Sequence, residues 1–351
     1  MNLPDLPPPA EDAAQQARAR QATLTKPAGA LGQLEALSVR LVGMTGRLDW
    51  LPARRAVVVC AGDHGVTAQG VSAYPQAVTR QMVLNFLAGG AAINVLARQM
   101  GARVLVVDAG VAGDFDDHPD LIQGKIAPGT ADFSLGPAMT PQQAERAVQL
   151  GLDVAAHEIA RGVDILAVGE MGIGNTTAAS AIIAAVTGRS PTEVTGRGTG
   201  VGDAQLGRKV AVIERALRVN APADRNTLAK VGGFEIGAMA GLMIGAAAAR
   251  VPAVIDGLIS AAAALIAAQL RPGVTRYLIA GHRSAEPGHG VALAHLGLTP
   301  LLDLGMRLGE GTGAALALPI IEAAMRTLQE MATFESAGVS GPTEPKGGSS
   351  A

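Results

Sequence analysis

The chain has 351 residues, 48% of them hydrophobic and 17% charged, with a formal net charge of −2. This balance indicates a globular protein with a sizeable core and argues against a nucleic-acid groove, which requires clustered Lys and Arg. Aromatic residues make up only 2% of the chain, so platforms for base stacking are not expected either.

The N-terminal segment 1–10 is Pro-rich and is expected to be loose. It lacks the basic and apolar regions of a signal peptide. The most apolar stretch, 234–270, is interrupted by charged residues, so no uncharged segment of about 18 residues remains to span a membrane. We therefore expect a cytoplasmic protein, in which the single cysteine, Cys60, is a buried thiol.

The pattern of apolar residues predicts two helices first and then an alternation of strands and helices. The predicted strands are short apolar runs at 55–61, 102–110, 163–169, 251–257 and 275–282. An Ala-rich helix is predicted between the last two strands, and the other predicted helices cover 11–23, 31–46, 76–100, 141–161, 175–188, 203–220 and 312–333. This alternation predicts an α/β fold with a doubly wound, mostly parallel sheet.

Four regions are expected along the chain. The early and late helices lack strands between them, which predicts a small helical domain built from 11–50 and 305–334. Residues 51–304 then form the α/β domain. The Gly-, Ser- and Pro-rich tail, 335–351, is expected to be disordered.

Polar and glycine-rich clusters follow four of the predicted strands. They are GDHGV at 62–66, EMGIGNTT at 170–177, DG at 256–257 and GHRSAE at 281–286. Because ligands of a doubly wound sheet bind beyond the carboxyl ends of its strands, one shared site is predicted.

The cluster after the third predicted strand fits an anion. Gly172 and Gly174 allow close approach of the backbone, and Asn175 and Thr176 open a helix whose free N–H groups favour a phosphate. An ordinary turn with helix caps is the alternative. The spacing is not G-x-G-x-x-G, and no G-x-x-x-x-G-K-[ST] motif occurs, so the usual dinucleotide and nucleoside-triphosphate signatures are absent.

Other polar residues leave more than one interpretation open. The second glycine loop, 195–203, leads into a helix with Lys209, which is either a counter-charge for the phosphate or a solvated lysine. Asp63 and His64 suggest a metal or an acid–base pair, but no metal motif supports them, and fixing a loop is the commoner role. For His282 and the nearby His289, loop packing and chemistry remain equally open.

Together, these segments resemble one family, the nicotinate-nucleotide:5,6-dimethylbenzimidazole phosphoribosyltransferases of cobalamin lower-ligand synthesis. The matching segments run in family order over nearly the whole chain. They are TKPAGALGQLE (25–35), AGDHGV (61–66), GEMGIGNTTAA (169–179), KVGGFEIGAMAG (230–241), DGLISAAAAL (256–265), SAE (284–286) and RLGEGTGAALALPIIEAA (307–324).

The resemblance implies a Rossmann-like parallel sheet, a helical domain made from both chain ends and a homodimer. It implies no metal or redox cofactor. From the composition and the apolar pattern, no nucleic-acid or membrane partner is expected either. Members of the family transfer phosphoribosyl from nicotinate mononucleotide to a benzimidazole nitrogen, and they release nicotinate and α-ribazole 5′-phosphate.

The family pattern also assigns roles to residues of this chain. Glu310 matches the catalytic base, Glu170 lies at the active site, and Asp256 matches the site carboxylate of the DG motif. Leu308 and Gly309, beside the base, are expected to contact substrate. The phosphate-binding positions match Gly172, Gly174, Asn175, Thr176, Gly198, Lys209 and Ser284.

The acceptor pocket departs from the pattern of some members. They offer a small Ser and then a Gln to the benzimidazole, whereas the matching positions here are Tyr74 and Met82. This change predicts an apolar and adaptable pocket, and it leaves open which acceptor base is used in vivo.

A glutamate between two glycines suits this chemistry. As one azole nitrogen attacks C1′ of the ribose, the N–H of the other becomes acidic, and a nearby carboxylate can accept its proton. Burial would raise the pKa of Glu310, and a helix N-terminus would lower it; the sequence leaves that balance open. The alternative role for Glu310 is a carboxylate that merely caps the following helix. The alternative functions for the protein are a non-catalytic nucleotide- or azole-binding homologue and a Rossmann-type oxidoreductase.

Overall fold

The computed structural model describes residues 1–198, 200 and 202–341 of the chain. These residues cluster into two compact units. The larger unit comprises Met1–Pro8 and Pro52–Leu318, and the smaller comprises Pro9–Leu51 and the chain from Pro319 onward. Residues 305–318, which the sequence assigns to the helical domain, therefore cluster with the larger unit.

The larger unit is built on one six-stranded sheet in which every strand pair is parallel. The strand order is β3-β2-β1-β4-β5-β6, which is the order of a Rossmann-type sheet and confirms the predicted fold class. The strands are β1 Arg55–Gly62, β2 Ala102–Gly110, β3 Leu121–Gln123, β4 Ile165–Met171, β5 Ala253–Ile255 and β6 Leu278–Ala280.

Fourteen α-helices are present in the described part of the chain. They are α1 Glu11–Thr23, α2 Gln33–Thr45, α3 Val78–Leu87, α4 Ala92–Gln99, α5 Pro141–Ala160, α6 Asn175–Thr187, α7 Pro191–Val194, α8 Asp203–Asn220, α9 Thr227–Val231, α10 Phe234–Ala248, α11 Leu258–Leu270, α12 Pro287–Leu296, α13 Thr312–Glu330 and α14 Phe334–Ala337. In this part of the chain, no helix is both long and apolar enough to cross a membrane.

The central strands form where the sequence predicts them because their side chains are apolar on both faces. All of β1 after Arg55 is buried between β2 and β4. The last two strands are shorter than predicted. Strand β5 covers only three residues, and Val274–Tyr277 forms a 3₁₀ turn before β6.

The single helix predicted over 76–100 is wrong. Gly89 adopts a left-handed conformation with φ of +75°, which ends α3, and α4 starts at Ala92. The Asn94 side chain accepts a hydrogen bond from the Ala91 N–H at 3.1 Å and so fixes the new helix start. The break supplies a second helix N-terminus, which the site uses.

Both chain ends are more ordered than expected in the described residues. Tyr277 Oη donates to the Pro7 carbonyl at 3.0 Å, and the Arg250 guanidinium donates to the Pro8 carbonyl at 2.9 Å, so the first residues are held against the larger unit. In the predicted disordered tail, residues 335–337 belong to α14, whose first turn is capped by Thr333. Residues 342–351 lie outside the described residues.

Candidate active site

A cavity of about 450 Å³ opens where strands β4, β5 and β6 end. Its wall is formed by the segments that follow these strands, by the start of α3 and by residues 307–310. The clusters after these three strands therefore meet at one edge of the sheet, as the sequence predicts. The fourth predicted cluster, 62–66 after β1, contributes no residue to the lining of this cavity.

Eleven of the fourteen residues predicted to form the site line this cavity. They are Tyr74, Met82, Glu170, Gly172, Asn175, Thr176, Gly198, Ser284, Leu308, Gly309 and Glu310. The other three, Gly174, Lys209 and Asp256, lie behind the wall. The cavity also has lining residues for which the sequence reasoning assigned no role, among them Val78, Ile173, Leu258, Glu286 and Arg307. Arg307 belongs to the RLGEG segment and Glu286 to the SAE segment, so their place in these motifs could have indicated that they lie at the site.

Glu310 sits on an unusual backbone. It has a φ of +62°, and Gly309 and Gly311 on either side also have positive φ, at 91° and 89°. A non-glycine residue in this region is strained, and such strain concentrates at functional sites. The flanking glycines are explained by this conformation and by contact, because a Cβ on Gly309 would collide with the Glu170 carboxylate and one on Gly311 would press on Val57.

The carboxylate of Glu310 is buried, with 6% of the residue exposed, and its Oε2 accepts a hydrogen bond from the Ile93 N–H at 3.0 Å. Ile93 lies in the first turn of α4, so the helix start created by the break at Gly89 faces this group. Burial raises the pKa of Glu310, the bond from Ile93 opposes that, and the charge of Asp256 adds to it. The net direction of the pKa is upward, so burial and the charge of Asp256 together outweigh the hydrogen bond from the Ile93 N–H.

Asp256 holds the loop that carries Glu310. Its Oδ1 accepts from the N–H groups of Gly313 and Ala314 at 2.7 and 3.1 Å, and its Oδ2 accepts from Gly311 at 3.3 Å. The His282 Nε2 lies 3.3 Å from the same Oδ1. The Asp256 carboxylate thus accepts its hydrogen bonds from backbone N–H groups at the start of α13.

Glu170 is the penultimate residue of β4 and lies beside Gly309. The Asn175 side-chain amide donates to its carboxylate. Burial raises the pKa of Glu170 to about 8 in spite of that bond, and the nearby carboxylates of Asp256, Glu235 and Glu310 add to the rise. Glu170 is therefore protonated at neutral pH and can donate a hydrogen bond.

The end of the cavity for which the sequence predicts an anion lies at the start of α6. Gly174 is the N-cap of this helix with φ of +96°, a conformation that favours glycine. Thr176, in the first turn, accepts a hydrogen bond from Lys209 Nζ at 2.7 Å. Burial lowers the pKa of Lys209 to about 8. Lys209 is therefore a buried cation behind the wall, and the solvated-lysine alternative is wrong.

Asp63 and His64 hold loops together. His64 Nε2 lies 2.7 Å from Glu235 Oε1 with both side chains fully buried, and Asp63 Oδ2 accepts from the Ala112 N–H at 2.7 Å. Among the described residues, no group of three or more His, Cys, Asp and Glu side chains is arranged to hold a metal ion.

The two histidines after β6 have different surroundings. His289 Nδ1 accepts from the Ser284 N–H at 2.8 Å, and burial together with the neighbouring His282 lowers the pKa of His289 to about 4. His289 is therefore neutral and shapes the turn that carries Ser284. His282 lines the cavity and contacts Asp256.

Part of the cavity lining is apolar. Val78 and Met82 of α3 belong to this part, together with Tyr74, which is 55% exposed, and Leu308, which is 58% exposed. Exposed apolar side chains at the rim of a concave, mostly apolar site are suited to a flat heterocycle.

Comparison with known proteins identifies relatives over nearly the whole chain. A family model described as phosphoribosyltransferase matches residues 6–339. The nicotinate-nucleotide–dimethylbenzimidazole phosphoribosyltransferase of Chloroflexus aggregans is 61% identical over 333 residues, which is 94% of each chain. The enzyme of the same name from a Roseiflexus species is 61% identical over 340 residues, which is 96% of each. The crystal structure of CobT from Thermus thermophilus superposes with a TM-score of 0.91 at 52% identity, and the match covers 94% of this chain and 99% of that one.

Proposed function

The chain belongs to the family of nicotinate-nucleotide–dimethylbenzimidazole phosphoribosyltransferases, and from this premise we propose how its residues divide the work of the reaction. The enzyme transfers 5-phosphoribosyl from nicotinate mononucleotide to 5,6-dimethylbenzimidazole. The products are nicotinate and α-ribazole 5′-phosphate, which serves the lower ligand of cobalamin.

Glu310 is the proposed proton acceptor. One azole nitrogen forms a bond to C1′ while the bond from C1′ to the nicotinate nitrogen breaks and leaves its electron pair on nicotinate. The proton on the second azole nitrogen passes to the Glu310 carboxylate. The observation that carries this assignment is a buried carboxylate with a raised pKa, held on a strained loop in the wall of the cavity.

The neighbouring carboxyl has a complementary role. With Glu170 protonated at neutral pH, the proposed reaction requires Glu310 to carry the negative charge of the pair. That charge stabilises cationic character at C1′ and on the azole during transfer. Asp256, which binds three backbone N–H groups of the loop, keeps Glu310 in position.

The donor phosphate is assigned to the start of α6. The helix dipole and the buried Lys209 favour an anion there, and Gly198 and Ser284 line the same end of the cavity. A homodimer is part of the proposal because the family resemblance implies it, and the cytoplasmic location stays an expectation from the sequence. A non-catalytic homologue is disfavoured, since both the carboxylate and the phosphate end are retained.

The test of this function is azole-dependent release of nicotinate. The protein mixed with nicotinate mononucleotide and dimethylbenzimidazole should release nicotinate and α-ribazole 5′-phosphate in equal amounts. Release that is equally fast without the azole would indicate hydrolysis instead of transfer.

The acceptor pocket predicts a preference among bases. Methionine fills irregular space, and a tyrosine ring can lie against a flat heterocycle, so Met82 and Tyr74 should accept substituted benzimidazoles. One or two methyl groups are worth about 1–3 kcal/mol of discrimination in such a pocket. We expect dimethylbenzimidazole to be preferred and benzimidazole to be accepted with lower kcat/KM.

Adenine should be a poor acceptor, because its additional polar edge atoms would lose water without gaining partners. Competition between equimolar dimethylbenzimidazole and adenine measures this directly. Predominant transfer to adenine would refute the apolar pocket, although the reaction class would survive.

A further inference from the structure

Glu286 places a carboxylate at the anion-binding end of the cavity. It lies between β6 and α12, lines the cavity and is 6% exposed. Its Oε1 accepts a hydrogen bond from the Gly198 N–H at 3.0 Å, while Oε2 is buried without a hydrogen-bond partner among the described residues. A negative charge beside a phosphate is unfavourable, so its presence calls for a compensating role.

Glu286 anchors the glycine loop before α8. Gly198 is held from both sides, since Arg307 Nη1 donates to its carbonyl at 2.7 Å while Glu286 accepts from its N–H. A side chain at Gly196 would collide with the Glu286 carboxylate. The carboxylate thus fits closely against the loop.

Glu286 is also the acidic neighbour of Lys209. The ammonium of Lys209, which is 1% exposed, has two hydrogen-bond acceptors among the described residues, Thr176 Oγ1 at 2.7 Å and the Gly196 carbonyl at 3.3 Å, and both are uncharged. Burial lowers the pKa of Lys209, and the charge of Glu286 raises it. A buried ammonium without an anionic neighbour would lose its proton more readily.

The other charged groups around Lys209 do not replace Glu286. Helix α6 has no titratable side chain, and the exposed Glu193 of α7 pairs with Arg189 at 3.3 Å. Helix α9 contributes a cation, Lys230, and Arg307 is a second cation at the loop. On α8 itself, the exposed Asp203 pairs with Arg197.

We propose that Glu286 is a positioning residue of the donor-phosphate subsite, which fixes the Gly198 amide and keeps the Lys209 ammonium charged until the phosphate arrives. This inference rests on the proposed function, because it takes the phosphate of nicotinate mononucleotide as the anion. The bound phosphate then takes over as the counter-charge of Lys209.

Glu286→Gln separates charge from geometry. The amide oxygen of Gln can still accept from the Gly198 N–H, but no charge remains to hold the proton on Lys209. The pKa of Lys209 should therefore fall, and the variant should lose its cation at a lower pH than the wild type. At a pH where Lys209 is charged in both proteins, the variant should bind nicotinate mononucleotide at least as well as the wild type does. The reason is that Glu286→Gln removes a negative charge that would repel the phosphate.

The measurement is the dissociation constant of nicotinate mononucleotide by calorimetry, from about pH 7 to about pH 9.5, above the second phosphate pKa of about 6. The ratio of the Glu286→Gln constant to the wild-type constant should rise with pH, by up to about tenfold for each unit by which the pKa of Lys209 falls. The exposed Glu193→Gln is the matched control, and its ratio should stay near one throughout.

Glu286→Asp provides the converse test. It keeps the charge on a shorter side chain that reaches the Gly198 amide poorly, so affinity should fall by a similar factor at every pH. A Glu286→Gln ratio that does not change with pH would overturn the proposal, and so would a rising ratio for Glu286→Asp. If the wild type releases nicotinate while the Glu286→Gln ratio stays flat, only this inference fails; if the wild type neither binds nor cleaves the donor, the proposed function fails with it.

Discussion

Glu310→Gln is expected to fold and to bind both substrates while kcat falls by roughly two to four orders of magnitude, the usual contribution of a general base. The substituted amide can keep an oxygen within reach of the Ile93 N–H and leaves the backbone of the loop unchanged. It cannot take the azole proton, and it removes the charge that stabilises the cationic transition state. Steady-state release of nicotinate measures the loss.

The matched control is Glu330→Gln, which neutralises an exposed carboxylate that pairs with Arg326 on α13. It should retain wild-type turnover, and the thermal unfolding of both variants should show that each is folded. Turnover of Glu310→Gln within a few-fold of the wild type would mean that another group accepts the proton.

Lys209→Ala is expected to raise the KM for nicotinate mononucleotide by roughly one to two orders of magnitude and to change the KM for the azole far less. Hydrogen bonds to charged groups are worth about 1.5–3 kcal/mol, and the Lys209 side chain that would donate to the phosphate is buried. In the proposed complex the azole contacts the apolar lining residues instead of Lys209. Initial rates with each substrate varied in turn give both constants.

Arg208→Ala is the control for Lys209→Ala, since it removes an exposed cation from the adjacent position of α8. Its two KM values should stay close to those of the wild type. Equal increases of both KM values in Lys209→Ala would contradict the assignment of Lys209 to the phosphate.

The sheet could be predicted from the sequence because its central strands are continuous apolar runs, and such runs have few other places in a folded chain. Strand β1 is an example. The turn before α6 could be predicted for another reason, since its glycines and the Asn and Thr that follow are typical of a helix start. By contrast, β3 has three residues and α12 is short and rich in glycine, so neither has a pattern that stands out. The break at Gly89 was missed because helical periodicity continues across it.

The members of the site could be predicted, but their contacts could not. Glu310 meets the N–H of Ile93, which is 217 positions away in the chain and belongs to a helix start that the sequence does not signal. The pKa of Glu310 depends on the balance between burial and the hydrogen bond from that helix start. Its direction could therefore not be predicted before the fold was known. Likewise, the DG motif predicts that Asp256 is a site carboxylate, but it does not predict that the Asp256 oxygens bind the backbone of the Glu310 loop.

The pH dependence of kcat/KM for the azole in the wild type and in Glu310→Gln tests the central claim, that Glu310 accepts the proton. Glu310 must be ionised to act, and its pKa is raised, so the wild-type rate should fall as the pH drops through a value above 4.5, the ordinary pKa of a glutamate. Protonation of the azole itself affects both proteins equally and cancels in their ratio. The account predicts that the ratio of wild-type to variant kcat/KM falls toward acid pH; a ratio that does not change with pH would contradict it.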